Sequence, residues 1–133
     1  MTEGIINGLF QALAGWNLLL IIFGTLLGII FGSMPGLTAT MGLALLVPFT
    51  FGMEPAAGLI MLAGIYVGAM YADAIPAILI NTPGTPAAIA TTFDGFPLAQ
   101  KGKAQEALVT AAFASFIGSI VANIVLATLA EPL

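Results

Sequence analysis

The sequence predicts an all-α, polytopic membrane helical bundle with broken or re-entrant half-helices, its main interruption a hairpin at about residues 74–92. Three observations carry this. First, 60% of the 133 residues are hydrophobic and only 6% are charged, with a mean hydropathy of +1.15, far from the make-up of a soluble domain. Second, no Asp, Glu, Lys or Arg occurs from Gly4 to Met53, and long uncharged runs separate Glu54 from Asp73, Asp73 from Asp94, and Glu106 from Glu131. Such runs match the ~20 apolar residues a helix needs to cross a ~30 Å hydrocarbon layer. Third, Pro–Gly pairs at Pro35–Gly36 and Pro83–Gly84 fall inside this apolar material, where a regular helix cannot continue.

The N-terminal stretch MTEGIINGLF carries only Glu3. It lacks the basic n-region of a cleaved signal peptide and is read as mature protein forming a short interfacial helix. The first span runs from Asn17 to Met34, introduced by Trp16, a residue suited to a membrane–water interface. Gly24, Gly28, Gly32 and Gly36 recur every fourth residue, which puts them on one helix face, smooth enough for another backbone to approach closely. Leu37–Pro48 is apolar but short for a crossing, the length of a re-entrant or broken half-helix, and Phe49–Pro55 closes it as a turn. A second span covers Ala56 to about Ala72, again with small residues, Gly64, Gly68 and Ala72, at i, i+4 spacing.

Residues 73–97 read as a helix broken in its middle. Asp73 is placed as N-cap and Pro76 in the first turn, while Pro83, Gly84 and Pro86 end the first arm near Asn81. A second arm of about eight residues restarts with Thr85 as N-cap and Pro86 at its first position. FDGFPLAQKGKAQ, residues 93–105, reads as an aqueous loop because Asp94, Gly95 and Pro97 are turn formers. It holds both lysines of the chain, Lys101 and Lys103, and the positive-inside rule therefore places it in the cytoplasm. The last helix, Ala104 to about Ala130, aligns Ala111, Ser115, Ser119 and Asn123 as a small polar stripe suited to a bundle interior.

The same composition excludes several function classes. There is no Cys, His or Arg, so thiol nucleophiles, imidazole acid–base pairs and thiolate or imidazole metal sites are unavailable. No enzyme activity, catalytic residue, metal centre or organic cofactor is expected. A net charge of −4 spread over isolated acids leaves no footprint for nucleic acid.

Chemistry is expected at the two interruptions, because exposed backbone at membrane depth persists only where protein or a water-filled cavity surrounds it. Paired Pro/Gly-broken segments mark binding sites in secondary transporters. A half-helix N-terminus offers free N–H groups and the positive end of a dipole, and so can hold a carboxylate without Arg or Lys. The substrate-binding candidates are Pro35, Gly36, Thr38, Asn81, Thr82, Pro83, Gly84 and Thr85, with Thr40 adding a hydroxyl; capping of local backbone is the competing use of the threonines. Asp73 is the ionisable residue inside the apolar region and the candidate for coupling to Na⁺ or H⁺, the competing role being a helix cap. Asp94 reads as a turn residue, and Glu54, Glu106 and Glu131 as solvated helix ends.

Two stretches resemble a known family. GSMPGLTATMGLALLVPFTFGM (Gly32–Met53) and GIYVGAMYADAIPAILINTPGTPAAIATTFDGFPLAQKGKAQEAL (Gly64–Leu108), with the spacing between them, are similar to the N-terminal part of the TctA family, the large membrane subunit of tripartite tricarboxylate transporters. The likeness runs from about Gly24 to Gly118, and Asn81–Gly84 followed by Asp94–Gly95 and Pro97 is its most specific part. The resemblance implies a permease of the bacterial inner membrane. It would work with a small membrane subunit and a periplasmic binding protein that delivers citrate or another carboxylate, uptake being driven by an ion gradient. It further implies that the segments at Pro35–Gly36 and Asn81–Pro86 line the translocation site. Many members carry Tyr-Gly-Gly-Ser where this chain has Tyr71-Ala72-Asp73-Ala74, and members are several times longer. Residues 1–133 are therefore expected to be the N-terminal part of one permease domain, with the remainder of that chain and membrane lipid among its partners. A small structural membrane protein associating through its glycine-rich helix faces is the alternative reading.

Overall fold

The computed structural model describes residues 2–129, and all of the regular structure among them is helical. Helix α1 spans Thr2–Leu13, α2 Gly15–Ser33, α3 Ala39–Thr50, α4 Pro55–Ala72, α5 Ala74–Ile80, α6 Pro86–Leu98 and α7 Ala104–Leu129, with a wide π-type turn at Ala99–Lys103 between the last two. The all-α bundle read from the sequence is the observed architecture. Helix α1 lies on the outside, tied to α2 where the Asn17 side-chain amide donates to the Gln11 carbonyl at 2.8 Å. Trp16 stays exposed beside this junction.

The centre of the fold is the contact between α2 and α4, and glycine creates it. A Cβ at Gly24 would lie 2.5 Å from the Met61 carbonyl oxygen, one at Gly28 2.2 Å from that of Ile65, and one at Gly32 2.3 Å from that of Ala69. From the other side, a Cβ at Gly68 would meet the Thr25 carbonyl oxygen at 2.4 Å. Without side chains in between, the two backbones touch, and dispersion between close-packed backbone atoms supplies the attraction that the hydrophobic effect cannot supply in lipid. The partner atoms advance together along both helices, so α2 and α4 are parallel. Gly36 does not join this face, as the four-residue repeat suggests: α2 stops at Ser33, and Gly36 sits at φ +88° in open space, serving the turn that follows.

Parallel packing assigns α3 its task. Gly42 lies against Phe31 near the end of α2, and Thr50 lies against Gly58 near the start of α4, so α3 runs back between opposite ends of the two long helices. Its 12 residues cover roughly 18 Å, and the non-helical segments on either side supply the rest of the return. The short length that suggested a re-entrant piece thus belongs to a connection running from one end of the pair to the other.

Helix α4 continues into α5 without a break, because Asp73 has helical backbone angles (φ −60°, ψ −25°) and makes no side-chain capping bond to α5. Pro55–Ile80 is one apolar run of 26 residues, and Asp73 lies inside it rather than capping a new half-helix. The buried core follows this run through Ile65, Ala69, Ala72, Ala77 and Ile78. At its end Asn81 takes the left-handed conformation (φ 56°), and the N–H groups of Asn81 and Thr82 both reach the Pro76 carbonyl.

Three further boundaries depart from the sequence reading. Helix α6 begins at Pro86 after Thr85, as expected, but runs 13 residues to Leu98, so the interrupted pair covers Ala74–Leu98 rather than ending near residue 92. Asp94, Gly95 and Pro97 are helical, and Gly95 is needed for close approach: a Cβ there would stand 2.8 Å from Ile78 Cγ1. Only Gly102, at φ +79°, turns the chain. It divides the apolar 44-residue stretch Pro86–Leu129, so the 26-residue α7 supplies a crossing length by itself. Lys101 and Lys103 sit in that turn, exposed, with Lys103 paired to Glu106 at 3.2 Å.

The expected end of the last helix, Ala130, lies outside the described residues. Ser119 and Asn123 are exposed and bond back to the Phe116 and Ser119 carbonyls, whereas Ala111 and Ser115, earlier on the same stripe, line the space between α5, α6 and α7. Helix α6 is half as long as α7 and covers only the beginning of it.

Candidate functional site

The site forms where the two Pro–Gly interruptions meet. The first opens with a turn closed by Leu37 N–H donating to the Met34 carbonyl at 3.1 Å, after which Thr38 caps α3 by accepting from Met41 N–H at 3.3 Å. The second leaves α5 at Asn81 and doubles back, so that Gly84 lies beside Asp73 at the start of α5 rather than beside Ile80 at its end. A Cβ at Gly84 would stand 2.7 Å from Asp73 Oδ1 and 3.3 Å from the Leu37 carbonyl oxygen. The two interruptions therefore meet at Gly84, which lies between the Leu37 carbonyl and the Asp73 carboxylate.

Asp73 is only 4% exposed. Its Oδ1 accepts from Gly84 N–H at 2.7 Å and its Oδ2 accepts from the Thr85 hydroxyl. These donors stand at the N-terminus of α6, where unpaired N–H groups and the helix dipole favour negative charge. Among the described residues the one ion pair is Lys103–Glu106, so the buried carboxylate is balanced by backbone and hydroxyl donors rather than by a cation. Burying an ion without a counter-charge costs several kcal/mol, and charge-assisted hydrogen bonds of this type offset part of that cost.

The expected site residues separate into two groups. Asp73, Gly84 and Thr85 are brought together, and Asp73 and Thr85 open onto a cavity of about 530 Å³ between α5, α6 and the first half of α7. Pro35, Gly36, Asn81 and Thr82 are exposed and Pro83 is half-buried, none of them lining that cavity. Thr38 and Thr82 spend their hydroxyls on local backbone, Thr82 donating to the Ile80 carbonyl at 3.1 Å, and Thr40 is exposed. The polar groups that complete the cavity, Thr91, Asp94, Thr110 and Ser115, were not among the sequence candidates. The signal for two of them is the i, i+3 spacing of Thr91 and Asp94, which becomes one helix face only once residues 93–98 are known to be helical.

Asn81 provides a local test. Left-handed backbone is open to Asn and Gly but costs a β-branched residue ~1–2 kcal/mol. Asn81→Gly is expected to retain the thermal unfolding midpoint of the purified protein in detergent, and Asn81→Val to lower it; equal midpoints would contradict the left-handed assignment.

Parallel glycine-packed helices, three of the helical stretches long and apolar enough to cross a membrane, and paired interruptions define a class, the all-α membrane helical bundles with broken helices. The chain matches the family described as Tripartite tricarboxylate transporter TctA family over residues 18–133, and it belongs to that family. It is also 44% identical over 126 residues to an uncharacterized 52.8 kDa protein in the TAR-I ttuC' 3' region of Agrobacterium vitis. That alignment takes in 95% of this chain and 25% of the relative, so the chain spans a quarter of its relative's length. No solved structure matches it. The family is one of transporter membrane components, not of enzymes.

Proposed function

We propose that residues 1–133 form the N-terminal part of a multi-pass permease of the bacterial inner membrane that takes up tricarboxylates or related carboxylates. The supporting observation is the convergence of Leu37, Asp73, Gly84 and Thr85 at the start of α6, beside a cavity large enough for a small organic acid. In this reading the substrate is delivered by a periplasmic binding protein, a small membrane subunit completes the complex, and the remaining permease chain closes the site. Asp73 is the group through which Na⁺ or H⁺ is coupled, and the turn carrying Lys101 and Lys103 faces the cytoplasm. The alternative, a structural protein that associates through glycine faces, has less support, because Gly24, Gly28, Gly32 and Gly68 are already spent on the α2–α4 contact.

The test is uptake of radiolabelled citrate by cells lacking their own citrate carriers. The complete permease, expressed with its small subunit and binding protein, is expected to accumulate citrate and to stop when either partner is omitted or the ion gradient is collapsed. Failure to accumulate citrate or any of a panel of di- and tricarboxylates would refute the reading.

A further inference from the structure

The donors at the start of α6 that suit an incoming carboxylate already hold one. Asp73 places Oδ1 on Gly84 N–H and Oδ2 on the Thr85 hydroxyl, and it does so while buried and without a cationic partner among the described residues. A carboxylate at this depth is costly unless it is used. A purely structural cap would need neither the full charge nor the burial, since an uncharged Ser, Thr or Asn caps a helix as well. The carboxylate also faces the cavity shared by α5, α6 and α7, whose other acid, Asp94, is exposed. No Lys or Arg lines that cavity, so nothing else in it competes for an anion as strongly as the α6 terminus.

We propose that Asp73 is an internal occupant of this anion position, an autoinhibitory carboxylate that an external carboxylate must displace from Gly84 and Thr85 before it can bind there. This rests on the permease reading and adds to it a mechanism of exchange: the same two donors serve Asp73 in the empty site and the substrate in the loaded one. When a site is competent only for the fraction of time that its internal occupant is away, the apparent Kd rises by the inverse of that fraction. Occupancy by Asp73 for about nine-tenths of the time would weaken external binding roughly tenfold.

The experiment measures citrate binding by isothermal titration to the complete permease in nanodiscs, for wild type, Asp73→Gly and Asp73→Asn. Asp73→Gly removes the occupant and leaves both donors, Gly84 N–H and the Thr85 hydroxyl, to the substrate, and is expected to lower the Kd for citrate roughly tenfold. Asp73→Asn keeps the size but holds the donors only as a neutral acceptor, and is expected to shift the Kd in the same direction by a smaller factor. Helical content and unfolding midpoint are read in parallel, and Asp73→Asn carries the test if Asp73→Gly fails to fold. An unchanged or raised Kd in the folded variants, with wild type binding citrate, overturns the internal-occupant proposal and leaves the permease reading standing. If neither wild type nor either variant binds citrate or any other carboxylate of the panel, both fail together.

Discussion

Replacing Gly28 with leucine is expected to dissociate α2 from α4 and so to unfold the centre of the protein. The added Cβ would lie 2.2 Å from the Ile65 carbonyl oxygen and 2.9 Å from the Ala69 amide nitrogen, distances that only a separation of the two backbones can relieve. Both are main-chain atoms inside a helix, so no side chain can rotate away. Forcing a few methylenes into a packed core ordinarily costs ~1–3 kcal/mol; here the whole interface must open, so even Gly28→Ala is expected to reach that range and leucine to exceed it. Gly118→Leu, in α7 with nothing within 4 Å of its Cβ, is the control and should leave stability unchanged or slightly raised, because leucine is the better helix former. Thermal unfolding in detergent followed by far-UV circular dichroism reads both. Equal midpoints for the two variants would refute the backbone contact.

Gly84→Leu is expected to abolish uptake while the protein still accumulates in the membrane. The new side chain would start 2.7 Å from Asp73 Oδ1 and 3.3 Å from the Leu37 carbonyl oxygen. It would therefore push apart the two interruptions and cover the N–H that holds Asp73. Shifts of about 1 Å in a positioning contact can cost on the order of 10²-fold in rate, and leucine demands more than that. Gly84→Ala, with only the Cβ to accommodate, should retain a measurable fraction because the Asp73 carboxylate can give way while the Leu37 carbonyl cannot. Uptake of labelled citrate, normalised to permease quantified by immunoblot, distinguishes transport loss from expression loss. Wild-type rates in Gly84→Leu would remove the α6 terminus from the transport path.

Much of the fold was legible because it rests on local rules. Runs without charge marked the spans, Pro86 after Thr85 marked the start of α6, and Asn81 was placed correctly at a helix end. The four-residue glycine repeat announced a helix contact, although not that its partner would be α4 or that the two would run parallel. The errors came where one residue type serves two purposes. Gly95 looks like a turn former but is small to admit Ile78, and a proline such as Pro97 can be carried inside a helix when neighbouring packing holds it.

The site was legible in part for the same reason. Thr38 and Thr82 obey local capping rules, and the sequence reading named capping as their competing role. The convergence on Asp73 joins residues eleven and twelve positions apart across a change of chain direction. No periodicity within a single element encodes it. Asp73 was nevertheless singled out as the one acid within the apolar region, and it is the residue that holds the second interruption through Gly84 and Thr85.

The glycine contact between α2 and α4 has a consequence for registration. Gly24, Gly28 and Gly32 meet Met61, Ile65 and Ala69 in turn, so the surface repeats itself with each four-residue step, about 6 Å. A slide by one such step would trade one carbonyl for the next and regenerate most of the same glycine–carbonyl contacts, as on a toothed rack. The rack holds the helices side by side but is nearly indifferent to which tooth is engaged. The choice of tooth falls to contacts that do not repeat: Gly42 against Phe31 and Thr50 against Gly58, both through α3, and Leu37 against Gly84. The short return helix α3 is thus the pawl of this rack, fixing a register that the glycines alone leave open.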